Sequence, residues 1–474
     1  MQHKIAFCRQ YLKKAKNIYL VGIGGIGMSG LAYLLKDKGY KVSGSDIVFS
    51  PLLAHLEKKG IAVYLGHKSQ RVKGKDLLCY SSAIKEDNPE LKRARKLGIP
   101  LVSRGLLLAC LAQEEKVIAI AGSHGKTTTT ALTGFLLRKM GLRCSTFLGG
   151  MLQGHTVSAE WGREVFVIET DESDGSFNFI RPFYSLITNI DREHLNFYQN
   201  NWGKLKGAFR RFAEQTTGKV IGCADDEAVF DILSRLPSGR SVSYGIRKGD
   251  FRACHITFSS FSTRFDLCFY DKKLLRWEIP LAGRHNVLNS LAAIAAIVSF
   301  RMEGKLAGRE KEIEVICLRL KEDIKYFPGV KRRLEILGKK KGVIFISDYA
   351  HHPSEIKAVI RTVKSIKSSR LVVVFQPHRS SRLKSLISEF ADAFYGSDLL
   401  IVTDIYLASE KPEKNINAAL LIENLRHPSP KNIIYLPQNK LMSHLSSFFN
   451  QGDIVLALGA GNIDSIIRSV YRQF

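Results

Sequence analysis

Short apolar runs alternate with turns and helical patterns along the chain. Apolar runs at 17–21, 117–121, 165–169 and 371–375 each end at glycine or at polar residues. Apolar runs of this length, bounded by turn residues, are typical of strands buried on both faces of a parallel sheet. Helical patterns separate the runs, so the sequence predicts an α/β protein built from doubly wound sheets.

A glycine-rich turn follows the first apolar run. The run at 17–21 leads into GIGGIG at 22–27, a helical pattern comes next, and Asp46 follows the second strand. This order is typical of a Rossmann-like sheet in which backbone N–H groups hold a diphosphate and the acid takes a ribose hydroxyl. The pattern predicts anion binding, but NAD, FAD and a UDP-sugar all present a diphosphate and a ribose. Glycines that serve packing alone are the alternative.

A second glycine turn, GSHGKTTTT at 122–130, follows the run at 117–121. A strand, a tight glycine turn and a helix start can hold nucleotide phosphates, with Lys126 on the β- and γ-phosphates and Thr127 on Mg²⁺. Only two residues separate Gly122 from Gly125, whereas the general P-loop has four. An ordinary strand–turn–helix junction is the alternative, but the pattern favours a central P-loop ATPase-type mononucleotide-binding sheet.

Two side chains could hold a metal ion beside this loop. Glu169 ends the apolar run at 165–169, and His194 follows the run at 185–188. A carboxylate and an imidazole at neighbouring strand ends can coordinate Mg²⁺, although histidine is a less usual ligand for it than oxygen. A capping or surface histidine is the alternative for His194. Acidic residues cluster at 171–174, which in so basic a chain indicates a specific role.

Polar side chains also mark a later helix start. Asn286 and Asn289 precede an alanine-rich helical pattern at 291–298. Their amides could pair with an adenine edge or cap the helix, and the sequence leaves both possibilities open.

The last third repeats the strand-then-polar-loop pattern four times, after a plausible hinge at 327–329. This repetition predicts a second Rossmann-like, doubly wound domain with its site at the carboxyl ends of the strands. Arg379 and Arg382 suit a carboxylate or a phosphate, because a guanidinium can bind either group bidentately. The pair His351 and His352 could bind a metal, but the following helix start favours substrate positioning.

Composition narrows the class of protein. The 474 residues suggest about three domains, and the net charge of +27 suits anionic partners such as nucleotides, nucleic acid or a membrane surface. The basic residues are scattered, however, which favours a solvated surface over a nucleic-acid interface. The eight cysteines lie in apolar contexts without a C-x-x-C pair, no run is long enough for a membrane span, and no signal peptide is recognisable. We therefore expect a cytoplasmic protein.

Together these motifs resemble those of the Mur ligases of peptidoglycan synthesis. GIGGIGMSG, SSAI with DNPE, GSHGKTTTT, ESD, GRHN, DYAHHP and QPHR occur in that family's order over essentially the whole length. The resemblance is strongest to the members that use ATP and Mg²⁺ to join L-alanine to UDP-N-acetylmuramate. It implies a UDP-sugar-binding domain at 1–115, an ATP-binding domain at 116–326 and an amino-acid-binding domain at 327–474.

The resemblance also implies individual site residues. The UDP-sugar would contact Gly22, Gly24, Gly25, Ile26, Gly27, Asp46, His67 and Ser82. ATP would contact Gly122, Ser123, His124, Gly125, Lys126, Thr127, Thr128, His285, Asn286, Asn289 and Arg333. Mg²⁺ would be held by Thr127, Glu169 and His194, and L-alanine by Tyr349, His351, Arg379 and Arg382. Lys126, Glu169, His194, His351 and Arg332 would serve catalysis, His351 as a base or as an orienting group.

The implied reaction proceeds through an acyl phosphate of the lactyl carboxylate, which the amine of L-alanine then attacks. A recycling ligase that adds a whole tripeptide is the alternative enzyme, and a nucleic-acid-dependent ATPase is a distant one. An oxidoreductase would explain GIGGIG and Asp46 but not the GKT loop. Several relatives carry a carbamoylated lysine; Lys204 and Lys206 lie near that position, but the sequence does not predict the modification. We expect a monomer or weak homodimer that binds no nucleic acid.

Overall fold

The computed structural model describes residues 2–173, 175–193, 195–259, 261–366, 370–408, 410–425, 430 and 432–474. The chain forms two compact units. The first comprises Met1–Ile256, Phe265–Glu278 and Leu288–Pro328, and the second comprises Thr257–Arg264, Ile279–Val287 and Gly329–Phe474.

The first sheet of the first unit has five parallel strands in the order β3-β2-β1-β4-β5. Its strand order reverses beside β1, and such switch points leave a crevice at the carboxyl ends of the strands. The strands are β1 (Asn17–Val21), β2 (Lys41–Asp46), β3 (Ala62–Leu65), β4 (Leu77–Tyr80) and β5 (Leu101–Ser103). The helices are α1 (Gln2–Lys14), α2 (Ile26–Asp37), α3 (Pro51–Lys58), α4 (Pro89–Lys96) and α5 (Arg104–Ala112).

The second sheet has ten strands in the order β15-β14-β13-β12-β11-β10-β6-β9-β7-β8. Its centre is parallel, and the strand order reverses beside β6, between β10 and β9. The strands are β6 (Lys116–Ala121), β7 (Cys144–Phe147), β8 (Ala159–Glu160), β9 (Val165–Glu169), β10 (Tyr184–Ile187), β11 (Val220–Cys223), β12 (Ser241–Gly245), β13 (Phe251–Ser259), β14 (Ser262–Phe269) and β15 (Lys272–Ile279). The helices that accompany it are α6 (Lys126–Lys139), α7 (Trp202–Glu214), α8 (Glu227–Ser234), α9 (Arg284–Arg301) and α10 (Glu310–Ile324).

The sheet of the second unit has six strands in the order β16-β17-β21-β18-β19-β20, parallel except for the first pair. The strands are β16 (Glu335–Lys340), β17 (Val343–Asp348), β18 (Leu371–Phe375), β19 (Leu399–Val402), β20 (Asn432–Tyr435) and β21 (Ile454–Leu458). The helices are α11 (Pro353–Ile366), α12 (Ser380–Ser385), α13 (Ile387–Phe390), α14 (Ala418–Glu423), α15 (Gln438–His444) and α16 (Ile463–Gln473).

Apolar strands form the centre of each sheet. All five residues of β18 and of β21 are buried, as are the apolar residues of β6 and β9. Strands that are covered on both faces lose the polar alternation of one-sided sheets, which explains the continuous apolar runs in the sequence. Among the described residues, no helix is long and apolar enough to cross a membrane.

The structure confirms an α/β fold with three mostly parallel sheets. Strand limits differ slightly: Asp46, which we expected to follow the second strand, is the last residue of that strand. The sequence did not predict β13, β14 and β15. Burial alternates along much of β13 and β15, whereas residues 265–269 of β14 are continuously buried but include the charged Asp266. The domain limits at 115 and 326 stay a prediction, since the two compact units divide the chain differently.

Candidate functional site

The GIGGIG turn connects β1 to α2 and depends on glycine at specific positions. Gly22 has φ +82°, a left-handed value that favours glycine. The Gly24 N–H donates to Asp46 Oδ2 at 2.8 Å, and a Cβ on Gly24 would lie equally close to that oxygen. Asp46, which we predicted to bind a ribose hydroxyl, therefore also fixes the conformation of the turn.

His67 and Ser82 occupy different environments. The His67 Nδ1 lies 3.1 Å from Glu90 Oε2 and 2.9 Å from Ser45 Oγ. Glu90 is fully buried and also accepts from Tyr19 Oη at 2.8 Å, so His67 is fixed by a buried polar network behind the strand ends. Ser82 is exposed in the turn after β4.

The second glycine turn, between β6 and α6, has the form expected of a phosphate loop. Gly122 and Gly125 have φ +137° and +79°. A Cβ on Gly125 would lie 2.4 Å from Asn289 Oδ1, so a larger residue would displace the amide or the loop. The segment after β10 braces the loop: Asn189 Oδ1 accepts from the His124 N–H at 2.8 Å, and the Asp191 N–H donates to Ser123 Oγ at 2.8 Å.

Lys126, the first residue of α6, is held by a buried acid. Its Nζ lies 3.0 and 3.1 Å from the two oxygens of Glu172 and also donates to the carbonyls of Gly122 and Ser123. Glu172 is 1% exposed, and burial raises its pKa from 4.5 to about 7 although Lys126 pulls the pKa down. Burial acts to lower the pKa of Lys126, but the charges of Glu172 and neighbouring acids outweigh it and raise the pKa. Lys126 is therefore a charged ammonium group that hydrogen bonds hold beside the loop.

Thr127 and Glu169 form a pair of oxygen donors beside the loop. Thr127 Oγ1 donates to Glu169 Oε1 at 2.9 Å, and Gly149 N–H donates to Glu169 Oε2 at 2.6 Å. A Cβ on Gly149 would lie 2.7 Å from the carboxylate, so the close approach requires glycine. Hydroxyl and carboxylate oxygens are the donors that Mg²⁺ prefers, and this pair fits such an ion. The third predicted ligand, His194, lies outside the described residues.

The predicted adenine residues do not share one environment. The Asn289 side chain lies at the phosphate loop, where its Oδ1 accepts from Thr129 Oγ1 at 3.3 Å. The Asn286 amide donates to the Ala282 carbonyl at 2.8 Å, as a local brace of the helix start would. Burial, with help from the charge of Arg333, lowers the pKa of His285 to about 4, so its imidazole is neutral at pH 7.

In the second unit, two arginines contact Tyr349. The guanidinium carbons of Arg332 and Arg333 lie 4.6 and 5.2 Å from its ring centre. Arg332 has φ +58°, an uncommon conformation for a side-chain-bearing residue, and it donates to the carbonyls of Gly459 and Gly461. These contacts orient two positive charges at the carboxyl ends of β17 and β21.

The L-alanine residues predicted from the resemblance lie around a row of four rings. The centres of Tyr349 and His351 are 5.3 Å apart, those of His351 and His378 5.6 Å, and those of His378 and Tyr406 5.9 Å. Arg382 Nη1 lies 3.2 Å from His378 Nδ1, which therefore accepts. Arg379 is the N-cap residue of α12, the helix that carries Arg382, and has φ +66°. The row therefore brings two histidines, two tyrosines and the Arg382 guanidinium together in this unit.

Both histidines of this row are neutral at pH 7. Burial lowers the pKa of His351 to about 3 and that of His378 to about 4, with a further contribution from Arg382. His351 Nδ1 lies 2.9 Å from the Tyr349 carbonyl, which fixes that nitrogen as the donor. The other ring nitrogen, Nε2, is then an acceptor for an amine.

Sequence reasoning missed several residues that shape these sites: Glu90, Arg104, Glu172, Asn189 and His378. The acidic cluster at 171–174 and the ESD motif drew attention to Glu172 without indicating its partner, and Glu90 appeared only as the last residue of the DNPE motif in a charged helix. Their partners lie far away in the sequence, so only the fold reveals the contacts.

These features are those of an α/β protein with two glycine turns suited to phosphate groups in its first unit and a group of arginines and aromatic rings in its second. The chain belongs to the Mur ligase family. Residues 17–116 match the Mur ligase catalytic domain, residues 120–297 the Mur ligase middle domain, and residues 332–461 the Mur ligase glutamate ligase domain.

Named relatives agree with this assignment. The chain is 40% identical over 457 residues to a UDP-N-acetylmuramate–L-alanine ligase of Geotalea daltonii, covering 95% of this chain and 96% of the relative. A protein of the same name from Geobacter sp. strain M21 is 39% identical, with 95% and 96% covered. The crystal structure of the UDP-N-acetylmuramate–alanine ligase of Thermotoga maritima superposes with a TM-score of 0.80 at 29% identity, covering 96% of this chain and 99% of that one.

Proposed function

We propose that this chain joins L-alanine to the lactyl carboxylate of UDP-N-acetylmuramate at the expense of ATP, in the cytoplasm. The observation that carries the proposal is the similarity to ligases of that name along nearly the full chain. The eight cysteines, all free thiols, fit a reducing compartment.

The first step is transfer of the γ-phosphoryl group of ATP to the lactyl carboxylate, which gives an acyl phosphate and ADP. Lys126 would neutralise phosphate charge from the start of α6, where the first-turn N–H groups lack partners within the helix. Thr127 and Glu169 would hold Mg²⁺, which would neutralise further charge when bound. The protein's contribution is alignment and electrostatic stabilisation.

In the second step the amine of L-alanine attacks the acyl carbon and phosphate leaves. We propose that Arg379 and Arg382 bind the amino-acid carboxylate, because a guanidinium matches it bidentately. His351 would accept a hydrogen bond from the amine at Nε2 and so orient it. Its pKa of about 3 makes it a weak base, so orientation is the role that fits best.

The test is phosphate release with UDP-N-acetylmuramate, ATP and Mg²⁺, in parallel reactions with L-alanine, glycine, L-serine and the tripeptide. We expect L-alanine to give the highest kcat/KM. Preference for the tripeptide would assign the chain to recycling instead, and no release with any amine would refute the ligase function.

A variant pair locates the chemistry. Lys126→Ala should abolish phosphate release and leave UDP-sugar binding intact, because GIGGIG lies on a different sheet. Lys139→Ala removes an exposed lysine from the last turn of the same helix and should leave the rate unchanged. Equal loss in both variants would mean that the effect is on folding and not on phosphate binding.

A further inference from the structure

Arg104 connects the GIGGIG turn to the segment that follows β9. It is the first residue of α5, after Ser103, whose side chain caps that helix. A Cβ on Gly27 would lie 2.5 Å from Arg104 Nη1, so the guanidinium rests against the first turn of α2. Its other amino group, Nη2, lies 3.6 Å from Asp171 Oδ2, two residues beyond Glu169.

The position of Arg104 is fixed by its backbone. A Cβ on the next residue, Gly105, would lie 2.5 Å from Ser176 Cβ, so the start of α5 packs directly on the 3-10 helix Ser176–Phe179. The ion pair with Asp171 is longer than a hydrogen bond and partly exposed, and such pairs contribute little to stability. The packing of Gly105 on this 3-10 helix, and not the pair with Asp171, positions the start of α5.

We propose that Arg104 binds the sugar-side phosphate of the UDP-sugar diphosphate and directs the sugar towards the phosphate loop. The N–H groups of the GIGGIG turn hold one side of a diphosphate, and a guanidinium beside Gly27 supplies a bidentate donor on the other. Gly27, the last glycine of the motif, then has a second role, since any side chain there would collide with the guanidinium. This inference rests on the proposed function for the identity of the ligand.

The test compares UDP with UMP by calorimetry on the full chain. Arg104→Met should weaken UDP roughly ten- to a hundredfold, the loss expected for one charge-assisted hydrogen-bonded contact, and should change UMP less than threefold. Gly27→Ala should reproduce this pattern by displacing the guanidinium. Arg104→Lys keeps the positive charge but cannot donate two parallel hydrogen bonds, so its UDP affinity should lie between those of wild type and Arg104→Met.

Two control variants separate binding from structure. Asp171→Asn removes the ion pair and should leave UDP affinity unchanged. Arg143→Met removes an arginine that is 70% exposed and paired with Glu164, and it should also have no effect.

Equal weakening of UDP and UMP by Arg104→Met, an equal loss in Asp171→Asn, or unchanged UDP binding in Arg104→Met would each overturn the inference. The outcome is independent of ligase activity. Wild-type protein that binds UDP but releases no phosphate refutes the proposed function alone. An active ligase whose UDP affinity is unchanged in Arg104→Met refutes this inference alone.

Discussion

Replacing Glu172 by glutamine should not weaken the first unit at high pH, although it removes the partner of Lys126. Burial raises the pKa of Glu172 from 4.5 to about 7 even with the ammonium 3.0 Å away. The folded protein therefore binds the Glu172 proton more tightly than the unfolded chain does. The stabilisation from this group is complete below pH 4.5 and is lost as the pH rises to about 7.

The size of the effect follows from that rise in pKa. A tenfold change in a protonation equilibrium corresponds to about 1.4 kcal/mol, so the rise from 4.5 to about 7 corresponds to about 3 kcal/mol. Glutamine resembles the protonated acid at all pH values. Glu172→Gln should match wild type near pH 4 and exceed its free energy of unfolding by up to about 3 kcal/mol at pH 8.

Urea unfolding followed by tryptophan fluorescence suits this measurement, because all three tryptophans, Trp161, Trp202 and Trp277, belong to the first unit. Glu164→Gln is the matched control. Hydrogen bonds from Arg143 lower the pKa of that exposed acid, so its replacement should bring no gain at high pH. If Glu172→Gln is less stable than wild type at pH 8, the attraction to Lys126 outweighs the cost of burying the carboxylate, and the reasoning fails.

Three further outcomes follow from the structure. Gly125→Ala should lower the free energy of unfolding of the first unit by about 1–3 kcal/mol in urea, because φ is +79° and the new Cβ would lie 2.4 Å from an amide oxygen. The control Gly141→Ala, with φ +88° and no atom within 4 Å, should cost only about 1 kcal/mol, and equal costs in the two variants would contradict the prediction. Because the pKa of His378 is lowered to about 4, the protein should lose up to about 3 kcal/mol of its free energy of unfolding as the pH falls from 6.5 towards 4. Far-ultraviolet circular dichroism can follow this loss, and a His378→Gln variant that kept the full acid dependence would refute the prediction. The sulfurs of Cys254 and Cys268 are 3.5 Å apart, so a thiol oxidant should join them in a disulfide, which mass spectrometry detects as the loss of two hydrogens. A Cys254→Ser variant that still loses two hydrogens would show that other thiols react.

The sequence by itself determined the elements that local pattern controls. Strands such as β1, β9 and β18 follow directly from continuous apolar runs, because strands covered on both faces have no polar alternation. The two glycine loops were equally visible, since glycine at Gly22 and Gly122 is required by backbone conformation. Lys126 and Thr127 followed from their place after the second loop.

Tertiary structure decided which distant residues meet these local features. Arg104 reaches Gly27, and Glu172 reaches Lys126, only because parallel strands bring their carboxyl ends to one edge of a sheet. Asn289 and Asn286 look alike in sequence, yet Asn289 Oδ1 accepts from Thr129 beside the phosphate loop, whereas the Asn286 amide donates to the Ala282 carbonyl. Local sequence patterns carry no information about such contacts, because the partners lie far apart in the sequence and only tertiary packing brings them together. The charges and pKa values of Glu172 and His351 likewise depend on burial, which only the folded structure determines.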